Sequence, residues 1–177
     1  TLQDGDYTVV IESEFKEGYM NSLELIIGEE KKKEILISSY ICHPLLANNE
    51  LSGPLCILGL IWLLNKQNYE SRYRLRFLLH PETLGAIEFI NKTSRQKLNE
   101  IKAGLVVSCV GCGNEYSHIE SRYGNNASDQ ILRKILKTSK YKAYTFLERG
   151  SDERQFNWPK PALPMCGFSR KKYHEYP

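Results

Sequence analysis

The chain has 177 residues, 41% of them hydrophobic, which is enough for one compact domain with its own core. Lysine and arginine total 24 against 21 for aspartate and glutamate, so a net charge of +3 gives no general reason to expect nucleic acid or an anionic membrane as partner. Five cysteines, an odd number, read as reduced thiols in a cytoplasmic setting. The longest apolar stretch, Leu55 to Leu64, is about half of a bilayer crossing.

In chain order, Tyr7 to Glu12 and Leu23 to Ile27 read as strands. The connections Phe15 to Ser22 and Gly28 to Lys33 are short and contain glycine, so the opening strands are expected to run antiparallel as a meander. Glu34 to Ile41 alternates little and reads as a strand buried on both faces. A helix follows from Ser52 to Leu64, with Ser52 as N-cap and Pro54 in the first turn; being apolar nearly all round, it is expected to be buried. Next come a strand at Tyr73 to Leu79, a helix at Leu84 to Asn91 and a strand at Ala103 to Cys109. Tyr116 to Arg122 reads as a strand with His118 on its exposed side, Ala127 to Lys137 as a helix, and Tyr144 to Leu147 as a strand. Asp152 and Glu153 open a short helix, the three prolines of Asn157 to Pro164 stiffen a loop, and Met165 to Phe168 is a last short strand. Arg170, Lys171 and Lys172 read as a solvated loop, and Cys42 and Cys56 as core residues. The alternating middle of the chain implies a mixed, mostly parallel sheet in an α/β fold.

Chemistry collects where strands end. His43, Asn48, Asn49 and Glu50 lie between the Glu34 strand and the Ser52 helix, Glu82 lies just past the Tyr73 strand, Cys109 ends another, and Asp152 and Glu153 follow the Tyr144 strand. Loops at the carboxyl ends of parallel strands line the ligand crevice of open α/β sheets, with helix N-termini adding positive potential. A histidine with carboxylates converging from separate loops suits a divalent metal, zinc above all, with one carboxylate left to deprotonate water. The plainer alternative is that Glu82 and Asp152 cap the helices that follow them, while Asn48 and Asn49 satisfy a turn. Cys109 and Cys112 have the spacing of a redox pair or half a zinc knuckle, but no second pair completes it and Gly111 and Gly113 favour a turn. Neither a Gly-rich phosphate loop nor a Gly-x-Ser-x-Gly elbow is present.

In this order, "EILISSYICHP", "NNELSGP", "HPETLGAIEFI" and "GSDERQF" resemble the aminopeptidase-like branch of the zinc aminopeptidase superfamily that also includes glutaminyl cyclases. The resemblance covers nearly the whole chain and implies a three-layer α/β/α sandwich, with residues 1 to 177 as a single domain that is a fragment of something longer. It implies His43 as a zinc ligand, Glu82 as general base, and Asn49, Asp152 and Glu153 as substrate-binding or ligand-orienting groups. The pattern departs where a bridging aspartate is expected: Asn49 stands there, and Glu50 beside it is the substitute ligand. Thr83 follows Glu82 where the superfamily has a second glutamate, and Ser108 and Cys109 stand where it has an aspartate, so one zinc ion is expected rather than two. A histidine beyond Glu175, Tyr176 and Pro177 is the expected further ligand, with His174 only its neighbour. The implied activity is cleavage of an N-terminal peptide or amide bond in a small substrate by metal-activated water. Two rivals are a sugar-amide enzyme linked to polysaccharide biosynthesis and a scaffold that binds without catalysis.

Overall fold

The structure, a computed structural model, describes residues 3–28, 33–148, 150–160 and 162–170. Strands β1 (Leu23–Ile27), β2 (Glu34–Tyr40), β3 (Arg74–His80), β4 (Ile101–Val107), β5 (Tyr116–Ile119), β6 (Tyr141–Tyr144) and β7 (Met165–Ser169) form one sheet in the order β1-β3-β2-β4-β7-β5-β6. The central run β3, β2, β4, β7 is parallel, β5 and β6 run parallel to each other, and β1 and β5 pair antiparallel with β3 and β7. Between them lie helices α1 (Ala47–Glu50), α2 (Ser52–Lys66), α3 (Leu84–Lys92), α4 (Arg95–Glu100), α5 (Ala127–Leu136) and α6 (Glu153–Phe156).

The three expected layers are present. On one face, Ala86 and Phe89 of α3, Leu98 of α4 and Phe156 of α6 pack on Leu36, Leu78 and Val106. On the other, α2 presents Ile57, Ile61 and Leu64 to Leu75, Phe77 and Leu79, while α5 presents Leu132 and Leu136 to Leu105 and Cys166. Alternate residues of β2 serve the two faces, Leu36 one and Ile35 and Ile37 the other, as a strand buried on both sides requires.

The opening meander is not formed. Tyr7 to Glu12 makes no strand and lies exposed, and β1 pairs with β3 rather than with β2. The reason is that β2, the most buried and continuous of the early strands, has both edges taken by β3 and β4, which helical crossovers bring to it. The Tyr144–Leu147 strand lies earlier, at Tyr141–Tyr144, because a 3₁₀ turn takes Phe146–Glu148. α4 escaped the sequence reading; Ser94 caps it by accepting a bond from Lys97 N at 3.4 Å.

Two corrections concern α2. Ser52 is not its N-cap, a position Leu51 holds; the Ser52 hydroxyl donates to Asn48 O and accepts from Val110 N at 2.9 Å, tying the helix start to the loop after β4. Gly53 seats that start against the sheet, since a Cβ there would collide with Ser39 Oγ and the Val107 carbonyl. The helix is also not buried all round: Leu51, Leu55, Leu58 and Trp62 form a second apolar stripe that stays at least half exposed. Replacing Leu55 and Trp62 together by Glu is therefore expected to reduce apolar-dye binding and self-association, followed by fluorescence and sedimentation, with fold stability changed by no more than about 0.5 kcal/mol.

One buried charge network pins the sheet at the end opposite the strands' carboxyl ends. Glu34, 1% exposed, accepts from Arg74 Nε at 2.7 Å and from Arg76 Nε and Nη2 at 2.6 and 3.0 Å. Glu24 of β1 binds Arg76 Nη1, and Glu100 binds Arg74 Nη2 at 3.4 Å.

Candidate metal and catalytic site

The connection β2-α2-β3 crosses one face of the sheet and β3-α3-α4-β4 crosses the other, in opposite directions along the strand order. Their loops therefore part beyond the carboxyl end of β2 and leave a crevice there, where open α/β sheets bind ligands. His43 and Glu82 lie on loops at that edge and Glu50 ends the short helix α1 there, beside a cavity of about 550 Å³ lined by Ile41 to Ala47, Glu50 and Leu51.

Glu50, 4% exposed, organises the loop after β2. Its Oε1 accepts from His43 Nδ1 at 2.8 Å and its Oε2 from the Cys42 amide. A carboxylate on Nδ1 fixes the imidazole and leaves Nε2 as the open nitrogen, the arrangement common around metal-bound histidines. Cys42 is not in the core, contrary to the sequence reading; it lies past the end of β2, exposed, with Sγ 3.2 Å from His43 Nδ1. The Glu82 amide donates to the same sulfur at 3.4 Å. Burial is the main influence raising the Cys42 thiol pKa, and the carboxylates of Glu50 and Glu82 add to it.

Beneath this group lies a second, buried layer. Ser151 Oγ donates to Glu82 Oε1 at 2.5 Å, and Thr83 N donates to Asp152 Oδ1 at 2.7 Å, so the loop after β6 grips Glu82 and its neighbour. Thr83 has φ 65° and ψ −62°, and Leu84 N donates to Glu82 O at 2.7 Å across it. That is a γ-turn of the strained hand, costing a β-branched residue about 1–3 kcal/mol. Asp152 thus serves the start of α3 rather than capping its own helix, where its side chain makes no cap bond. His80 Nδ1 donates to Pro81 O at 2.9 Å, leaving Nε2 to accept from Ser38 Oγ at 2.8 Å; burial lowers its pKa, consistent with this neutral tautomer.

Asp152 Oδ2 lies 3.6 Å from His80 Nε2 and has no hydrogen-bond partner among the described residues. Burial, with Glu153, Glu82 and Glu50 nearby, pushes its pKa up to about 8. The folded protein keeps this proton above pH 3.8, the ordinary value at which the carboxyl of the unfolded chain loses it, so stability falls as pH rises from about 4 towards 8. Asp152→Asn is expected to remove that slope, at most about 1.4 kcal/mol per pH unit, in urea titrations of chelator-treated protein at several pH values. Parallel pH profiles for variant and wild type would contradict it.

The remaining sequence candidates separate. Asn49 faces the loop after β4, with Nδ2 donating to Cys109 Sγ at 3.6 Å and Oδ1 buried without a partner among the described residues. Asn48 Nδ2 donates to Cys112 Sγ at 2.9 Å, and its Oδ1 accepts from Gly111 N at 2.9 Å, so the two cysteines anchor the asparagines of α1. Glu153 is 1% exposed and turned towards β7, where Gly167 leaves room for its carboxylate; a Cβ there would collide with it. Cys56 is exposed rather than in the core. Arg170 is half-buried, its guanidinium 5.1 Å from the Tyr116 ring centroid, while Lys171, Lys172, His174 and the Glu175-Tyr176-Pro177 element lie outside the described residues.

Two groups of side chains could supply three metal donors each. His118, expected at the surface, is fully buried with Asp129 and Cys166. Asp129, however, already accepts from His118 Nε2, Ser121 N and Asn126 N, each at 3.0 Å, and from Ser121 Oγ. Those bonds occupy its lone pairs and lower its pKa against the effect of burial, so this cluster is an anchor for α5. The second group is Cys42, His43 and Glu82, whose donor atoms lie within 4.8 Å of one another at the crevice. A sulfur and an imidazole nitrogen suit zinc, and a carboxylate facing them is placed to act on a water bound there. The sequence signal for Cys42 was present in its place two residues past Tyr40, once that strand's end is known.

A zinc aminopeptidase from Bacillus subtilis has the same fold, with a TM-score of 0.70 at 15% identity over 87% of this chain and 41% of that one. At that identity the likeness is one of fold, an α/β/α sandwich around a mixed sheet. It belongs to the family described as Domain of unknown function (DUF4910), whose model matches residues 6–177. A Clostridium acetobutylicum protein, named as a polysaccharide biosynthesis protein with an aminopeptidase-like domain, is 37% identical over 174 residues, 97% of this chain and 39% of that protein. The crystal structure of a protein from that organism, described as a peptidase, matches with a TM-score of 0.80 at 35% identity over 88% of this chain and 36% of the other. This chain therefore spans less than two fifths of the length of either Clostridium relative.

Proposed function

We propose that the chain carries the metal and general-base groups of a one-zinc aminopeptidase or related amidohydrolase acting on an N-terminal peptide or amide bond. The observation that carries this is the convergence of His43 and Glu82, on loops from neighbouring strands, within one metal-sized group at the crevice. His43 would hold the ion through Nε2, with Glu50 orienting the ring or supplying a further oxygen. When bound, the ion supplies Lewis acidity towards a carbonyl and acidifies water. Glu82, steadied by Ser151, accepts the proton that water loses and passes it to the leaving amine. Asn49 and Asp152 shape the floor around these groups, and Glu153 braces β7 from behind.

A second reading, a scaffold that binds a peptide or sugar without turnover, is favoured by Asn49, whose amide is a poor metal donor, and by Thr83 directly after Glu82. The name of the Clostridium acetobutylicum relative also keeps a sugar amide among the substrates to test. Elemental analysis of the protein at its natural full length, beside His43→Ala, tests the choice. Close to one zinc per chain, lost in the variant, with release of amine from aminoacyl amides, is the expected result. Zinc absent from both proteins, with no hydrolysis of peptide, aminoacyl or sugar amides, would overturn it in favour of the scaffold.

A further inference from the structure

We propose that Cys42 is itself a donor to the ion held by His43, so that two consecutive residues at the end of β2 supply sulfur and nitrogen, with Glu82 facing them. The inference rests on the metal reading above and assigns a ligand which that reading does not need. Cys42 Sγ belongs to the same compact group as the His43 nitrogen and the Glu82 oxygen. Both residues are held by one carboxylate: Glu50 takes the Cys42 amide with one oxygen and His43 Nδ1 with the other, which fixes the loop that presents the two donors. The sulfur is directed at Glu82, whose amide it accepts at 3.4 Å, and it stands open beside the cavity. The Asn49 amide nitrogen donates to Cys109 Sγ at 3.6 Å, so that side chain is engaged with the loop after β4.

Ligation would release the thiol proton to solvent and leave a thiolate on the cation, a change that a divalent ion drives even for a thiol that is protonated without it. A sulfur ligand would also make the site more electron-rich than a nitrogen and oxygen set, and would favour zinc over magnesium or calcium.

The test uses the full-length protein loaded with Zn2+ or Co2+, as wild type and as Cys42→Ser, Cys109→Ser and His43→Ala variants. Zinc X-ray absorption is expected to show one sulfur scatterer at about 2.3 Å. The cobalt form should show a thiolate-to-metal charge-transfer band. Cys42→Ser should lose both signals and bind zinc at least about tenfold more weakly, as loss of a donor predicts, while Cys109→Ser keeps both. A metal centre that needs His43 but shows only nitrogen and oxygen scatterers, with zinc affinity unchanged in Cys42→Ser, would overturn the assignment and leave the metal reading standing. A sulfur signal that survives Cys42→Ser and disappears in Cys109→Ser would overturn it as well. Absence of bound metal in the wild type would overturn both.

Discussion

Glu82→Gln is expected to reduce turnover of an aminoacyl amide by roughly 10²–10⁴-fold, the usual contribution of a general base, while zinc content stays at the wild-type level. Glutamine keeps the length and the carbonyl acceptor for Ser151 Oγ, so the hydroxyl that now binds Oε1 at 2.5 Å retains a partner and the γ-turn at Thr83 need not move. What disappears is the ability to take a proton. Loss of turnover with the metal retained would separate the base from the ion-holding residues, whereas turnover unchanged in Glu82→Gln would remove Glu82 from the chemistry. Ser151→Ala gives a smaller version of the same experiment: it removes one hydrogen bond and should shift the pH profile of turnover rather than abolish it.

Glu34→Leu is expected to destabilise the protein by about 3–5 kcal/mol, the cost of breaking a buried ion pair from one side. Arg74 and Arg76 would remain buried, one with only Glu100 and the other with only Glu24 in place of the shared carboxylate. The urea midpoint should fall with the slope of the transition unchanged, because the same surface is exposed on unfolding. Replacing Glu34, Arg74 and Arg76 together by Leu, Leu and Met should recover much of the loss, since a packed apolar trio of that volume has no charge to desolvate. A small effect of Glu34→Leu alone would mean that water reaches the guanidinium groups.

The central strands and the helices that cover them could be read from the chain because their patterns report local burial. Glu34 to Tyr40 is continuous where both faces are covered, and Ala127 to Leu136 repeats with helical spacing where one face is. Pairing was less legible: nothing in Leu23 to Ile27 says that its partner lies fifty residues ahead in β3 rather than at β2. Tyr7 to Glu12 is a β-branched run that looks like a strand, yet it joins no ladder among the described residues and lies exposed. The double stripe of α2 misled for a related reason, since apolar residues on two sides of a helix look the same whether or not both sides are covered. At the crevice, His43, Glu50 and Glu82 were legible from residue type and place after a strand. Cys42 was not, because it follows an apolar run that reads as one strand to Ile41, and only the end of β2 at Tyr40 turns it out of the sheet. His118 was misplaced because a polar residue in a short strand gives no hint that Asp129, eleven residues on, will bury with it.

The strand order also has a consequence for the growing chain. β1 and β2 are both synthesised before β3, yet neither pairs with the other, and each pairs with β3. Among the described residues neither of these strands enters a ladder until Arg74–His80 has left the ribosome, so Leu23–Ile27 and Glu34–Tyr40 emerge unpaired. When β3 arrives it completes both pairings at once and brings Arg74 and Arg76 to Glu34. β3 is therefore the commitment step of synthesis, and a pause in translation just before it would prolong the interval in which the nascent chain is most open to capture by a chaperone.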